Sequence, residues 1–190
     1  MPGTRFVLIR HAESQWNAAG RWQGHGDPSL SERGRQQADV LASALAGQGI
    51  EVLVSSDLAR ARETAAALGR ALGLEPVVDA AFRELDVGSW TGLRRAEIEQ
   101  RDPELLARFD AGDPEARAGG AESRGEIRQR VRRAAAGLSR AHRGGCVALV
   151  THLGVIRALL PGSELGNVEW RLVRAEALAA PDPPEPGSAR

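Results

Sequence analysis

Four short apolar runs alternate along this chain with segments whose apolar residues recur at helical spacing. The runs cover residues 6–9, 52–54, 77–78 and 147–151. Short, continuously apolar runs are typical of strands that are buried on both faces of a sheet. Alternation of such strands with helices favours an α/β fold with a mainly parallel sheet. We therefore predict three layers, α/β/α, with the sheet in the middle.

The segments between these strands carry recognisable helix boundaries. Ser31 and the polar group at residues 55–57 are candidate N-caps. Asp102-Pro103 is a good cap followed by proline at the first helical position. The helical signals on either side of this pair predict an insertion, at about residues 93–122, over one edge of the sheet.

We expect a single domain over residues 1–180. Residues 168–172 alternate between apolar and polar side chains, as an edge strand does. Residues 181–190 are rich in proline and small polar types, so we expect them to form a disordered tail.

The composition excludes several classes of protein. All 25 basic residues are arginines, and 25 acidic residues balance them. The lack of lysine excludes a P-loop and a lysine Schiff base, and a net charge of zero is not that of a dedicated nucleic-acid binder. The sequence shows neither a signal peptide nor an apolar run of about 18 residues. We therefore expect a cytoplasmic protein that binds neither nucleic acid nor membrane.

Two of the predicted strands end in a histidine. His11 follows the first apolar run and His152 follows the last one. Ligands of open α/β sheets bind beyond the carboxyl ends of the strands, so we expect both rings in one crevice. Arg10 and Arg60, which follow strand ends as well, can reach the same place. Two guanidinium groups and two imidazoles form a positive pocket that suits a dianionic phosphoryl group.

A neutral imidazole in such a pocket can act as a nucleophile toward phosphorus. Surrounding positive charge disfavours protonation of the ring, and attack by the ring gives a covalent phosphohistidine. Guanidinium groups stabilise the transferring group without a metal, and four scattered histidines with one cysteine make a metal site unfavoured. The simpler alternative stays open at this point: a histidine at a strand end can be structural, and Arg60 can be a surface charge.

Six blocks of the sequence resemble, in order, the histidine phosphatase superfamily in its phosphoglycerate-mutase-like branch. The first block, Leu8-Ile9-Arg10-His11-Ala12-Glu13-Ser14, is similar to the R-H-G-E signature, with Ala12 where the family usually has glycine. The later blocks cover residues 20–38, 55–65, 83–92, 119–131 and 150–157. Each block alone is weakly specific, whereas the ordered set is specific.

The resemblance implies catalytic roles for five residues. His11 is the phosphorylated nucleophile, while Arg10, Arg60 and His152 hold the phosphoryl oxygens. Glu84 gives a proton to the leaving group and later takes one from the incoming acceptor. The resemblance also implies a phosphoglycerate-mutase-like α/β/α fold with the insertion over the active-site edge, and a reaction that needs neither metal nor cofactor.

The resemblance further implies contacts to the substrate. Asn17 and the backbone at Leu153 are expected to contact the phosphate, although Leu153 stands where the family has glycine. Gln23 and Gly24 lie where family members contact the rest of the substrate.

The resemblance favours a phosphomonoester hydrolase that acts on a small phosphorylated metabolite. The chain is short for a glycolytic mutase and has no counterpart of the longer arginine-rich insert of that enzyme. Residues 23–24 are similar to the small phosphatases, including the alpha-ribazole phosphatases. A cofactor-dependent phosphoglycerate mutase and an inactive module that binds phosphorylated ligands are the alternatives. The sequence leaves the identity of the metabolite and the oligomeric state open.

Overall fold

Five strands form one sheet in the computed structural model, which describes residues 3–178. They are β1 (Arg5–Arg10), β2 (Val52–Ser55), β3 (Val77–Val78), β4 (Cys146–Thr151) and β5 (Trp170–Arg174). The order is β3-β2-β4-β1-β5, and only the edge strand β5 runs antiparallel to its neighbour. The mainly parallel sheet is therefore confirmed. The tail expected at residues 181–190 lies outside the described residues.

Eight α-helices and three short 3₁₀ helices lie between and after the strands within residues 3–178. The α-helices are α1 (Gln15–Ala18), α2 (Glu32–Leu45), α3 (Ala59–Leu72), α4 (Arg95–Arg101), α5 (Pro103–Asp110), α6 (Arg124–Ala141), α7 (Leu153–Leu159) and α8 (Ala175–Leu178). The 3₁₀ helices are Ala80–Phe82, Gly88–Trp90 and Ala118–Gly120. In this part of the chain, no helix combines the length and the hydropathy that crossing a bilayer requires.

The helix boundaries follow the predicted caps, with two corrections. Asp102 lies at the N-cap position of α5, before Pro103, but its side chain makes no capping hydrogen bond. Ser31 caps α2 through its hydroxyl, as expected. Helix α3 instead begins after Leu58, which makes no side-chain cap, so the caps predicted at residues 55–57 are wrong. One reason is visible at Asp57, whose carboxylate accepts hydrogen bonds from the guanidinium of Arg83 and is not available to the helix.

Helices cover the sheet on both faces because alternate strand residues point to opposite sides. On one face, apolar residues of β1, β2 and β4 pack against α2 and α3. On the other face, the alternate residues of the same strands pack against α6 and α7. The three predicted layers are confirmed, and the carboxyl ends of β1, β2 and β4 meet at one edge of the middle layer.

The insertion predicted at about residues 93–122 is helical and packs through an aromatic cluster. It contains α4 and α5, which lie on either side of Asp102. The rings of Trp22, Trp90 and Phe109 lie 5.5–5.9 Å apart between centroids. The indole of Trp90 also donates a hydrogen bond of 2.6 Å to Asp102. These contacts anchor the insertion beside the edge where the strands end.

Candidate active site

His11 and His152 lie side by side at the carboxyl ends of neighbouring strands. Strands β1 and β4 pair with Arg10 opposite Thr151, so the residue after each strand reaches the same edge. The two ring centroids are 5.1 Å apart, and the ring planes are inclined by 59°. The two histidines are only 3% and 0% exposed. The predicted meeting of the two rings is therefore confirmed.

The ring of His11 is held as one neutral tautomer. Its Nδ1 lies 2.7 Å from the carbonyl oxygen of Ala12, and because a carbonyl only accepts, Nδ1 must carry the proton. Burial lowers the pKa of His11 well below its usual 6.5, and the charges of Arg60 and Arg10 lower it further. The ring is therefore neutral near pH 7, with the lone pair on Nε2.

His152 is fixed by a residue at the end of a third strand. Its Nε2 lies 2.9 Å from the hydroxyl oxygen of Ser56, which follows β2. Burial lowers the pKa of His152 well below 6.5, and the nearby charge of Arg60 acts in the same direction. The sequence did not single out Ser56 as a site residue.

The guanidinium of Arg60 is fully buried at the start of α3. Its Nη1 donates to the carbonyl oxygen of Gly26 at 2.8 Å, and its Nη2 donates to that of Gly24 at 2.9 Å. Burial lowers the pKa of Arg60 to about 10, so the side chain still carries its charge near pH 7. The alternative that Arg60 is a surface charge is therefore wrong.

Three buried nitrogens of these side chains have no hydrogen-bond partner within residues 3–178. They are Arg10 Nε, Arg60 Nε and His152 Nδ1. The other end of Arg10 is fixed, because its Nη1 donates to the carbonyl oxygen of Leu165 at 2.7 Å. Leaving a buried polar group without a partner costs about 1–3 kcal/mol. An oxyanion bound near His11 would give such groups a partner.

Glu84 brings a carboxylate to the same place. Its Oε1 accepts from the amide of Leu85 at 2.8 Å, and its Oε2 accepts from the amide of Gly154 at 3.3 Å. The carboxylate raises the pKa of both Arg10 and Arg60, against the larger effect of their burial. Glu84 therefore lies within electrostatic range of the two arginines.

A cavity of about 340 Å³ opens among these side chains. All nine candidate site residues line it except His152, which is fully buried. Four arginines that the sequence did not indicate line it as well: Arg21, Arg124, Arg128 and Arg157. Six arginines thus face a single carboxylate among the lining residues. Residues 3–178 hold no group of three or more His, Cys, Asp or Glu side chains that is arranged to bind a metal ion.

The amides of Asn17 and Gln23 are oriented by one serine. The backbone amide of Ser14 donates to Asn17 Oδ1 at 3.1 Å, and the Ser14 hydroxyl donates to Gln23 Oε1 at 2.6 Å. Because the carbonyl oxygen of each side chain is engaged, its NH₂ group remains as a donor for an anion. Both residues line the cavity, as expected.

Ala12 does not narrow the cavity, although the family usually has glycine there. Its side chain packs in a small apolar cluster with Leu30, Ala38 and Ala67. Its amide donates to the hydroxyl of Thr64 at 3.0 Å, which ties the loop after β1 to α3.

The sequence also missed a loop that holds the backbone of the first two site residues. Asn167 Nδ2 donates to the carbonyl oxygen of His11 at 2.9 Å, and the amide of Val168 donates to that of Arg10 at 3.1 Å. Asn167 and His11 are 156 residues apart in the sequence. Because hydropathy periodicity describes neighbours along one element, it has no signal for this contact.

Comparison with known proteins identifies the family to which this chain belongs. A family model described as histidine phosphatase superfamily (branch 1) matches residues 6–174. A bifunctional protein of Mycobacterium tuberculosis is 39% identical over 158 residues, which cover 83% of this chain. This chain spans only 43% of the length of that relative. Phosphoserine phosphatase 1 of Hydrogenobacter thermophilus is 35% identical over 155 residues, which cover 82% of this chain and 74% of the relative.

A solved structure shows the same fold. The mycobacterial glucosyl-3-phosphoglycerate phosphatase in complex with VO3 superimposes with a TM-score of 0.81 at 36% identity. The match covers 88% of this chain and 90% of that one. The sequence match, the fold and the paired histidines agree, and the chain belongs to branch 1 of the histidine phosphatase superfamily.

Proposed function

We propose that this chain is a metal-independent phosphomonoesterase that acts on a small phosphorylated metabolite through a phosphohistidine at His11. The observation that carries the proposal is the state of the His11 ring. It is neutral, its Nδ1 is tied to a carbonyl, and its Nε2 carries a lone pair beside the guanidinium groups of Arg10 and Arg60. A neutral ring is a nucleophile, and the two cations hold the group that it attacks.

In the first step, His11 Nε2 attacks the phosphorus atom of the ester. A nitrogen–phosphorus bond forms, the bond from phosphorus to the ester oxygen breaks, and that oxygen takes a proton from the carboxyl group of Glu84. The alcohol then leaves. The guanidinium groups of Arg10 and Arg60 supply positive charge during the transfer. The buried nitrogens of these two residues and of His152 supply hydrogen-bond donors to the phosphoryl oxygens.

In the second step, water takes the place of the alcohol. The carboxylate of Glu84 takes a proton from the water while the oxygen attacks phosphorus, and the nitrogen–phosphorus bond breaks. Inorganic phosphate leaves, and both His11 and Glu84 return to their starting protonation states. Atoms and protons balance over the cycle without a second substrate.

The relatives support a substrate that is a small metabolite. Their names specify phosphoserine and glucosyl-3-phosphoglycerate as substrates of those proteins. Both compounds are phosphomonoesters of an alcohol that also bears a carboxylate. A cavity of about 340 Å³ is of the size that binds small molecules.

A panel of phosphorylated metabolites, assayed in the presence of a chelator, tests the proposal. We expect release of inorganic phosphate from at least one small phosphomonoester and loss of activity in His11→Ala. His142→Ala, which removes a histidine at the end of α6, is the matched control and should keep full activity. Isomerised phosphoglycerate as the product, with strict dependence on a bisphosphoglycerate, would show a mutase instead. No turnover and no labelling of His11 would leave a binding module.

A further inference from the structure

Arg124 is held at the cavity wall in a defined orientation. It is the first residue of α6, and its guanidinium carbon lies 4.3 Å from the centroid of the Phe109 ring. Its Nη2 donates to the carbonyl oxygen of the same phenylalanine at 2.9 Å. One residue of the insertion therefore fixes both the face and one edge of the guanidinium.

The rest of this guanidinium has unused donors. Arg124 Nε is buried and has no hydrogen-bond partner within residues 3–178. No carboxylate of this part of the chain forms an ion pair with Arg124, since the nearby Asp110 pairs with Arg95. Burial lowers the pKa of Arg124, and the charge of Arg157 lowers it further. The charge of Asp110 raises this pKa, so Arg124 is a cation near a carboxylate but not in an ion pair with one within residues 3–178.

Arg124 lines the same cavity as His11, but its charge is not among those that lower the pKa of the His11 ring. The arginines that lower the pKa of His11 are Arg60 and Arg10. Arg157 also lines the cavity, and its charge lowers the pKa of both Arg10 and Arg124. The cavity wall therefore carries positive charge in addition to that of the two arginines that lower the pKa of His11.

The remainder of the wall suits a short carbon chain. Apolar side chains of the wall include Val87, Ile127 and Leu153. Arg157 is already paired with Glu164, whose two carboxylate oxygens each lie 2.6 Å from its Nη2. Of Arg124 and Arg157, only Arg124 therefore has no carboxylate in an ion pair within residues 3–178.

We propose that the substrate carries a carboxylate a few bonds from its phosphate, and that Arg124 binds this carboxylate. This inference rests on the proposed function, because it takes the phosphoryl group to lie at His11. A guanidinium offers two parallel N–H donors, which match the two oxygens of a carboxylate. Arg124 is then a residue that determines specificity, while Phe109 positions it.

A matched pair of substrates tests the proposal. 3-Phosphoglycerate and glycerol 3-phosphate have the same carbon skeleton and differ in that a carboxylate replaces a hydroxymethyl group. We expect wild type to prefer 3-phosphoglycerate in kcat/KM by about thirtyfold, the factor of one charge-assisted hydrogen bond. Arg124→Gln should reduce this preference to about one, mainly through KM, while kcat/KM for glycerol 3-phosphate changes less than about threefold.

Two further variants separate binding from folding. Arg133→Gln removes an exposed arginine of the same helix and should keep the preference. Arg124→Lys retains the positive charge but lacks the paired N–H donors of the guanidinium group. This variant should therefore retain only part of the preference for 3-phosphoglycerate. A wild type that does not discriminate, or an Arg124→Gln variant that still does, would overturn the proposal.

Binding to an inactive variant separates this inference from the proposed function. In His11→Ala, calorimetry should show tighter binding of 3-phosphoglycerate than of glycerol 3-phosphate, and Arg124→Gln should abolish the difference. If the difference is present but wild type hydrolyses no phosphomonoester, the proposed function fails and the carboxylate site stands. If wild type hydrolyses both esters and the binding difference is absent, the carboxylate site alone fails.

Discussion

At the residue scale, the lack of a side chain at Gly154 leaves room for the carboxylate of Glu84. A Cβ atom there would lie 2.2 Å from Oε1 of Glu84. Because the clash involves the end of a side chain, we expect Gly154→Ala to fold and to displace the carboxylate. We predict a loss of kcat/KM of about 10²-fold for alkyl phosphates, within the range of one acid–base group. Aryl phosphates, whose leaving groups need no proton, should lose much less.

Gly137→Ala is the control for this substitution. Gly137 lies inside α6, and a Cβ atom there would meet nothing within 4 Å. The change should raise the free energy of unfolding by about 0.5–1 kcal/mol and leave kcat/KM unchanged. An equal loss with alkyl and aryl phosphates in Gly154→Ala would contradict the role of Glu84 as proton donor.

At the residue scale, the sequence predicted the reacting groups better than the groups that position them. His11, His152 and Arg10 stand directly at strand ends, and ligands of such sheets bind there. Arg124 carries no comparable signal, because it is one of 25 arginines and only the packed fold shows which of them face the cavity. Reacting residues at strand ends can therefore be predicted from the neighbouring sequence, whereas the residues that line the rest of the cavity cannot.

At the element scale, the loop between α7 and β5 fixes the carboxyl end of β1. Val168 adopts a φ of 58°, the one positive φ of a non-glycine residue in the described part of the chain. Such a conformation costs about 1–3 kcal/mol, and it persists where surrounding contacts hold it in place. Here the amide of Val168 and the side chain of Asn167 donate to the carbonyl oxygens of Arg10 and His11.

We predict that Asn167 is a positioning residue for His11. Asn167→Ala removes one hydrogen bond to the His11 carbonyl oxygen and should lower kcat about tenfold, equivalent to about 1.4 kcal/mol. Asn167→Asp places a carboxylate against that oxygen and should lower kcat further. The dissociation constant of inorganic phosphate should change little in Asn167→Ala. A loss of phosphate affinity that matches the loss of kcat would show a direct contact to the anion instead.

Long helices were predicted well from their patterns, and very short helices were not. Helix α6 shows apolar residues at helical spacing over 18 residues, and its existence follows from that pattern. Helix α1 has four residues, too few for a period, and it is held by its cap at Ser14. The caps predicted for α3 failed because Asp57 and Ser56 bind Arg83 and His152 instead. Contacts with distant parts of the chain therefore determine the hydrogen-bond partners of these two side chains.

At the scale of the whole molecule, the two buried histidines predict how stability depends on pH. Their pKa values in the folded chain lie well below 6.5, whereas in the unfolded chain they return to about 6.5. Below that pH the unfolded chain therefore binds protons that the folded chain does not. Each histidine should lower the free energy of unfolding by up to about 1.4 kcal/mol per pH unit as the pH falls from 6.5.

Denaturant unfolding between pH 5 and pH 6.5, in a buffer without phosphate, measures this dependence. Carboxylates also make the free energy of unfolding depend on pH, so wild type is compared with His11→Gln. The slope of the free energy of unfolding against pH should be smaller in His11→Gln by the amount that corresponds to about one proton. Arg133→Gln, at an exposed residue of α6, is the control and should keep the slope of wild type. An unchanged slope in His11→Gln would show that this ring is protonated in the folded chain.

The most direct measurement of the central claim is the detection of the phosphorylated ring of His11. The enzyme is mixed with a phosphomonoester, quenched within the first turnover, and digested for mass spectrometry. We predict a phosphoryl group on His11 that is stable in base and labile in acid, and that is absent in His11→Ala. Hydrolysis of the ester at the normal rate by His11→Ala, or a phosphoryl group on another residue of the wild type, would contradict the account.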